Sequence, residues 1–371
     1  MLAPSHPSWD PRVVMREARS LVAQGHRVAL VAKHDPRRTV PAGIEVLPLP
    51  PQVLSRRQRA LQIRRICRIA RQWQADVYHA HEVESLAAGI WLKRRTKARL
   101  IFDAHECFHF TAARFLTGWK SRLATAVATR LLRWMSRQAD QVIVVSYTNL
   151  RFYHETCGCR KVTLIHNSPP PELFPFTDKP PGAEHTLTHD GHFGADRGSN
   201  EVLDALAIVR RHVPAKLIVV GKIPEQNQEQ ERFAQRVRDL DLEGAVDVTG
   251  WIPYDQVGPN LNRGSIGLVA MRPSANNYGS LSNKLFNYMC TGQAVIGPAG
   301  SDTAQVLEHA NCGVAVDVND PQSLAEALLT LLRDPQRTRE LGANARRAIE
   351  TEFGWHKMET LLAEIYADLG K

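Results

Sequence analysis

The sequence predicts an α/β protein made of two Rossmann-like domains, each built on a parallel sheet. Three observations predict it. Short apolar runs such as Val28 to Ala32, Leu100 to Phe102 and Leu217 to Val220 are continuous rather than alternating, as strands buried on both faces must be. Longer segments with helical apolar spacing separate them, the alternation that builds βαβ units. Six prolines lie between Pro169 and Pro181, which marks 169–185 as a linker between domains at 1–168 and 186–352. A last segment, 353–371, reads as a terminal helix.

The 371 residues are enough for two cores, and 43% hydrophobic with 23% charged residues is an ordinary globular composition. No apolar run reaches the roughly 18 residues of a membrane span, and no secretory signal is visible. Six cysteines are scattered, and Cys157-Gly158-Cys159 has no partner pair for zinc and too small a loop for a bridge. A reducing, cytoplasmic location is expected. The net charge of +9 is unevenly placed: residues 1–170 hold 28 Lys and Arg against 11 Asp and Glu, and the remainder holds 19 against 27. A basic half suggests an anionic surface as partner. No nucleic-acid-binding motif is present, so nucleic acid is not expected, whereas an anionic membrane is.

Met1-Leu2-Ala3 leaves little room before Pro4, so the first strand is expected to be short or frayed, the chain starting inside it. Asp10 to Ala23 reads as a helix with Pro11 in its first turn, and Gly25 ends it. Leu54 to Trp73 is an amphipathic helix with seven arginines, its stripe formed by Ile63, Ile66, Cys67 and Ala70. Strands follow at Asp76 to Glu82 and Leu100 to Glu106. Residues just past strand C-termini line the ligand crevice of such sheets, so His79, His81 and His105 should share one edge. The histidines and Glu106 match no zinc spacing, and no metal is expected. Phe108 to Gln138 mixes Trp119 and Trp134 with cations; it reads either as a lipid-interface surface or as helices with snorkelling arginines. Strands at Asp140 to Ser146 and Val162 to Ile165 complete the first domain.

In the second domain, His189 to Gly198 is a glycine-containing turn before a helix at Glu201 to Val209, an arrangement suited to phosphate. Strands are read at Leu217 to Val220, Val246 to Thr249 and Ser265 to Ala270. Helices are read at Asp302 to His309, Pro321 to Arg333 and from Gly354-Trp355 to Leu369. Between them lies Tyr278 to Pro298. Ser280 and Ser282 are N-cap types, and Leu285, Phe286 and Met289 repeat at helical spacing. Gly292 stands where a left-handed terminal residue belongs, and Ala294 to Ile296 is a buried strand. A helix opening from a Gly-Ser loop points free N–H groups and a positive dipole end at an anion.

Ser280-Leu-Ser-Asn-Lys-Leu-Phe-Asn-Tyr-Met-Cys-Thr-Gly-Gln-Ala-Val-Ile296 resembles the nucleotide-sugar motif of glycosyltransferase family four. Asp10-Pro-Arg12-Val, Asp76-Val-Tyr-His-Ala-His81, Asp103-Ala-His-Glu106 and the Gly191 to Gly198 turn extend the resemblance over nearly the whole chain. It implies the GT-B fold, in which two Rossmann-like domains face each other across a cleft and the terminal helix returns to the first domain. It also implies transfer from a nucleotide sugar, a uridine diphosphate sugar by expectation, with retention and without a metal or other cofactor.

By position in the motifs, His105 and Arg197 are the catalytic candidates. Gly191, Arg197, Trp251, Ile252, Ser280, Leu281, Ser282, Lys284 and Asn287 are the donor side. Asp10, Arg12, His79, His81 and Glu106 are the acceptor side. The acceptor is expected to be a glycan, a lipid-linked sugar or a small molecule, met in the cytoplasm or at the inner face of the plasma membrane. The chain departs from the family at Gly279 and Asn287, where relatives carry a pair of glutamates. Asn287→Glu is therefore expected to tighten uridine nucleotide binding by about tenfold or less. The alternatives are a non-catalytic homologue that binds a partner and a nucleotide-sugar epimerase.

Overall fold

The computed structural model describes residues 1–49, 56–106, 108, 117–177, 179–180, 185–272, 274, 277 and 279–370, with the side chains of 56–60 set aside. The chain divides into two units, Met1–His166 with Met358–Lys371, and Asn167–Lys357. The proline-rich segment thus groups with the second unit.

The first unit is a seven-stranded sheet in the order β3-β2-β1-β4-β5-β6-β7, with every pair parallel. Its strands are β1 (Leu2–Pro7), β2 (Val28–Lys33), β3 (Ile44–Leu49), β4 (Val77–His81), β5 (Arg99–Ala104), β6 (Gln141–Val144) and β7 (Val162–Leu164). The strand order reverses between β1 and β4, which is where an open parallel sheet leaves a crevice at its C-terminal edge.

The first strand, expected to be short or frayed, is not short but is irregularly paired. It does not stop at Pro4 but runs on to Pro7. Leu2 and Ala3 pair with Val31 and Ala32, and the ladder then resumes only at Pro7 opposite Lys33. Pro4 and Pro7 lack the N–H a regular ladder needs, so the strand persists as an irregular ribbon instead of ending. The helix after it also differs: Val13–Ala18 is a π-helical turn, continuous with α1 (Arg19–Ala23).

The remaining helices of this unit are α2 (Arg56–Gln72), α3 (Glu82–Lys93), α4 (Gly118–Ser136) and α5 (Tyr147–Arg151). Ile66, Cys67 and Ala70 of α2 enter the core with Tyr78, Leu86 and Leu100, so the apolar stripe of this arginine-rich helix faces protein. Residues 54–55 of the sequence-predicted helix lie outside the described residues, as do Phe110 and Phe115.

The second unit repeats the design with six strands, β8 (Thr186–Asp190), β9 (Lys216–Val220), β10 (Val246–Val248), β11 (Ile266–Leu268), β12 (Ala294–Pro298) and β13 (Gly313–Val316). Their order is β10-β9-β8-β11-β12-β13, again all parallel, with the reversal between β8 and β11. Its helices are α6 (Ser199–Arg210), α7 (Glu229–Asp239), α8 (Tyr254–Leu261), α9 (Asn283–Cys290), α10 (Asp302–His309), α11 (Pro321–Arg333) and α12 (Pro335–Ala348). The caps explain several boundaries: Ser301 accepts from Ala304 N, and Asp320 accepts from Gln322 and Ser323 N just before Pro321.

The last helix, α13 (Trp355–Leu369), joins the first unit from Met358 onward. Tyr366 Oη lies 3.1 Å from His79 Nδ1, and His166 N donates to Met358 Sδ. No helix among the described residues is long and apolar enough to cross a membrane.

Candidate active site

The C-terminal edge of the first sheet gathers ionisable side chains at the reversal point. β4 ends in His79-Ala80-His81, β5 brings Asp103 and then His105, and β1 with the following turn brings His6, Asp10, Arg12 and Glu17. Arg12 is the hub. It is 4% exposed, and its Nη2 sits 3.2 Å from Asp103 Oδ1 and its Nε 2.9 Å from Glu17 Oε1. It also donates to the Ile165 carbonyl. Asp10 accepts from the Arg12 and Val13 backbone N–H groups and lies 2.9 Å from His6 Nδ1.

Asp103 Oδ2 is 3.0 Å from His105 Nε2 and 3.3 Å from His81 Nδ1. His79 and His81 stack at 4.4 Å between ring centroids. Burial keeps both imidazoles neutral, lowering His81 to about 3 and His79 well below its ordinary value. Burial also pushes the Glu17 carboxyl up, reinforced by Asp103. Asp103 resists burial because Arg12 lies against it, and it stays well below the usual carboxylate range. The buried part of the edge therefore sets the Arg12–Asp103 ion pair beside two neutral imidazoles, with His6 and Asp10 as a second, less buried pair.

Of the acceptor-side residues read from sequence, Asp10, Arg12, His79 and His81 come together here with His105. Glu106 does not; it is exposed, one residue past the edge. Glu82 takes its place, 3.8 Å from His105 Nδ1, held at φ +72°, a left-handed conformation that L-residues rarely adopt. Burial raises the Glu82 pKa.

Among the described residues, two groups could by residue type hold a cation: Glu17, His79, His81 and Asp103, and the more open His6, Glu82 and His105. In the first, Arg12 already engages both carboxylates, so a dication would meet a fixed positive charge. Sequence reading missed Glu17, Glu82, His6 and Tyr366. Glu82 follows the His-x-His motif directly and was the one within reach of a motif argument.

The second sheet's edge is built differently. β8 ends at Asp190, followed by Gly191 at φ +78°. A Cβ on Gly191 would lie 3.1 Å from Lys284 Nζ, and one on Gly221 would overlap the Gly191 carbonyl, so two backbones meet where side chains have no room. α9 starts at Asn283 with Ser282 as N-cap, its hydroxyl accepting from Lys284 N. Ser280 is not the cap; its hydroxyl donates to the Asn277 carbonyl.

The helix was expected to bury one stripe, but Leu285 through Cys290 are all buried. That places polar groups inside: Tyr288 Oη accepts from Asp190 N at 2.8 Å, and Asn287 Nδ2 donates to Asp190 Oδ2 at 2.7 Å. Lys284 Nζ donates to the Asp190 carbonyl. Burial lowers Lys284 to about 8, with Arg197 adding to the fall and Asp190 opposing it. Arg197 is about one-third exposed, its Nη1 on Met271 Sδ and its Nε 3.2 Å from Asp196.

Gly191, Arg197, Lys284, Asn287 and the Ser280-Leu281-Ser282 turn thus belong to one edge. Trp251 is 77% exposed on the turn after Gly250. No hydrogen bond, ion pair or ring contact among the described residues ties Trp251 or Ile252 to the Lys284 group. A separate cavity lined by His185, Thr186, Arg210, Lys216 and Arg263 lies at the opposite edge, where β8 and β9 begin.

Two family models match this architecture in sequence, Glycosyltransferase Family 4 over residues 11–172 and Glycosyl transferases group 1 over 184–334. The chain belongs to the family four type of glycosyltransferases. Among curated relatives, glycogen synthase of Mycobacterium tuberculosis is 21% identical over 299 residues, 80% of this chain and 69% of that protein. N-acetyl-alpha-D-glucosaminyl L-malate synthase of Bacillus anthracis is 25% identical over 64% of this chain and 62% of its own length. Among solved structures, sucrose-phosphate synthase of Thermosynechococcus elongatus has a TM-score of 0.77 at 17% identity, covering 99% of this chain and 98% of its own. HepE of Anabaena, solved in complex with UDP, has a TM-score of 0.75 at 17% identity over 99% and 98%. The two parallel-sheet domains of this glycosyltransferase have the GT-B fold.

Proposed function

We propose that this glycosyltransferase transfers a sugar from a uridine diphosphate sugar to a glycan, lipid-linked or small-molecule acceptor, with retention of anomeric configuration. The observation that carries the reading is the second edge: Arg197, Lys284 and the opening N–H groups of α9 gather where β8 ends. Two cations and a helix N-terminus suit a diphosphate, and they would stabilise the charge that develops on it as the leaving group departs. Arg197 offers a permanent charge and a planar fork for oxyanions. HepE, a relative in fold, was crystallised with UDP, which favours uridine as the nucleoside.

In this reading the first edge takes the acceptor and His105 positions the transferred sugar, with Asp103 holding the imidazole. No metal is required, because protein groups supply the countercharge. Calorimetry with nucleoside diphosphates tests the donor, and NMR of the anomeric proton of the product tests retention. Binding of UDP without transfer to any acceptor would favour the non-catalytic reading that Gly279 and Asn287 motivate. Change of a UDP-sugar without acceptor would favour the epimerase.

The same reading places the enzyme on the cytoplasmic face of an anionic membrane. Trp119, Leu123, Val127, Leu131 and Trp134 of α4 are 47–70% exposed, while Ala128, Leu132 and Met135 are buried. At helical spacing the exposed set is one stripe, with the exposed cations Lys120 and Arg130 interleaved in it. An exposed apolar stripe interleaved with cations matches an interfacial helix. Sedimentation with anionic liposomes that weakens as salt rises is the expected result; equal binding to neutral liposomes would overturn it.

A further inference from the structure

Three adjacent strands of the first sheet, β1, β4 and β5, each bring a metal-ligating side chain to the reversal point. His6 lies near the end of β1, Glu82 follows β4 as the first residue of α3, and His105 follows β5. We propose that His6, Glu82 and His105 form a site for one transition-metal dication of the zinc class. Three protein ligands leave the fourth position to water or a small ligand. The inference goes beyond the donor-site reading and does not rest on it, since that reading assigns the diphosphate countercharge to Arg197 and Lys284.

Convergence is the first support. One ligand atom from each residue lies within 4.8 Å of those of the other two. Tetrahedral ligands about 2.1 Å from an ion stand about 3.4 Å apart, so side-chain rotations of about an ångström close the set. His105 Nδ1 is 3.8 Å from Glu82 Oε1, too far for a hydrogen bond and near the spacing of two ligands. No hydrogen bond to the Glu82 carboxylate forms among the described residues. The left-handed backbone at Glu82 is strain of the kind that persists at ligand sites.

The outward partners of the two histidines are the second support. His6 Nδ1 lies 2.9 Å from Asp10 Oδ2, and His105 Nε2 lies 3.0 Å from Asp103 Oδ2. A carboxylate only accepts, so those nitrogens carry the protons, and His6 Nε2 and His105 Nδ1 keep their lone pairs. A metal-bound histidine characteristically donates its other N–H to a carboxylate, and both histidines do so here. Two imidazoles and one carboxylate select Zn²⁺ or Co²⁺ over Mg²⁺, which takes oxygen ligands. The side chains of His6, Glu82 and His105 are 18%, 24% and 12% exposed, so the set borders solvent.

The test is calorimetry of the metal-stripped chain with Zn²⁺, with Co²⁺ as a visible-absorption probe and melting temperature as a second readout. Wild type is expected to bind one Zn²⁺, to resist displacement by Mg²⁺, to show the intense bands of four-coordinate Co²⁺, and to melt higher with Zn²⁺. His6→Gln and Glu82→Gln are each expected to lose the Zn²⁺ heat, the Co²⁺ bands and the Zn²⁺-dependent rise in melting. Asp10→Asn removes no ligand. Its oxygen stays on the Arg12 and Val13 N–H groups and its amide faces His6 Nδ1, which drives the ring proton to Nε2. Zn²⁺ affinity should then fall about ten- to a hundredfold. Should a ligand variant fail to fold, Asp10→Asn decides alone. No Zn²⁺ binding by wild type, equal competition by Mg²⁺, binding that survives His6→Gln and Glu82→Gln, or undiminished affinity in Asp10→Asn would overturn the proposal. None of these results bears on nucleoside diphosphate binding, which tests the donor reading separately.

Discussion

The two sheet edges share one topology and hold charge in opposite ways. In the first unit the reversal point is filled. Arg12, Asp103 and Glu17 lock together, and neutral histidines pack around them. In the second unit the same place is lined with glycine backbone, a helix start and cations that are only partly engaged. A filled edge is a rigid scaffold, whose buried charges are costly to separate. An edge with glycine backbone, a helix start and a part-exposed arginine leaves a charge within reach of solvent, which the donor reading uses. The comparison teaches that parallel-sheet topology chooses the location, and local side-chain supply chooses whether it holds or receives charge.

The sharpest way to break the comparison is Arg12→Ala. It leaves two buried carboxyls beside each other without a cation, and loss of one member of a buried pair costs about 3–5 kcal/mol. Denaturant unfolding should show a loss of that order, and a loss below about 1 kcal/mol would mean the first edge is solvated rather than locked. Arg197→Ala should do the converse. Stability should hardly change, whereas UDP affinity should fall roughly ten- to a hundredfold in calorimetry.

Acidification separates the edges by degree. Burial holds His81 near 3 and His166 near 4, and His79 and His189 well below the ordinary 6.5. Below pH 6.5 the unfolded chain takes up protons that the folded chain refuses, so stability falls as pH falls, by up to about 1.4 kcal/mol per pH unit for each such histidine. His6 acts in the other direction: burial lowers its pKa, but Asp10 outweighs that, so its contribution is present below 6.5 and lost as pH rises through its raised value. Three of the four neutral histidines belong to the first unit. Hydrogen exchange between pH 6.5 and 4.5 should therefore loosen β4 and β5 before β8.

The smallest effect on stability is expected for Trp119→Ser with Trp134→Ser, since both side chains are at least half exposed. Melting should be unchanged while liposome sedimentation drops. A clear fall in melting temperature would mean that α4 packs against protein instead.

Local signals made much of this legible in the sequence. Continuous apolar runs marked β2, β5, β9 and β12. α10 and α11 were read to the residue, and their N-caps Ser301 and Asp320 show why the boundaries are local: an N-cap bond spans only two or three positions and needs no distant partner. Gly292 at φ +62° was readable for the same reason. β3 and β13 were missed, as were the helices α3, α5, α7, α8 and α12. β3 and β13 are edge strands of mixed burial, and α7 has no buried residue, so no apolar period announces it.

The sequence by itself determined two parallel-sheet units, the histidines at one sheet edge, and the helix that opens from the Ser280-Leu281-Ser282 turn. Each follows from periodicity, capping or strand-end position within a few residues. Only the tertiary structure decided that Arg12 binds Asp103 across 91 positions and that Asp190 answers Asn287 across 97. Those partners meet because the strand order reverses beside β1 and β8, and no local preference encodes which side chains a reversal brings together.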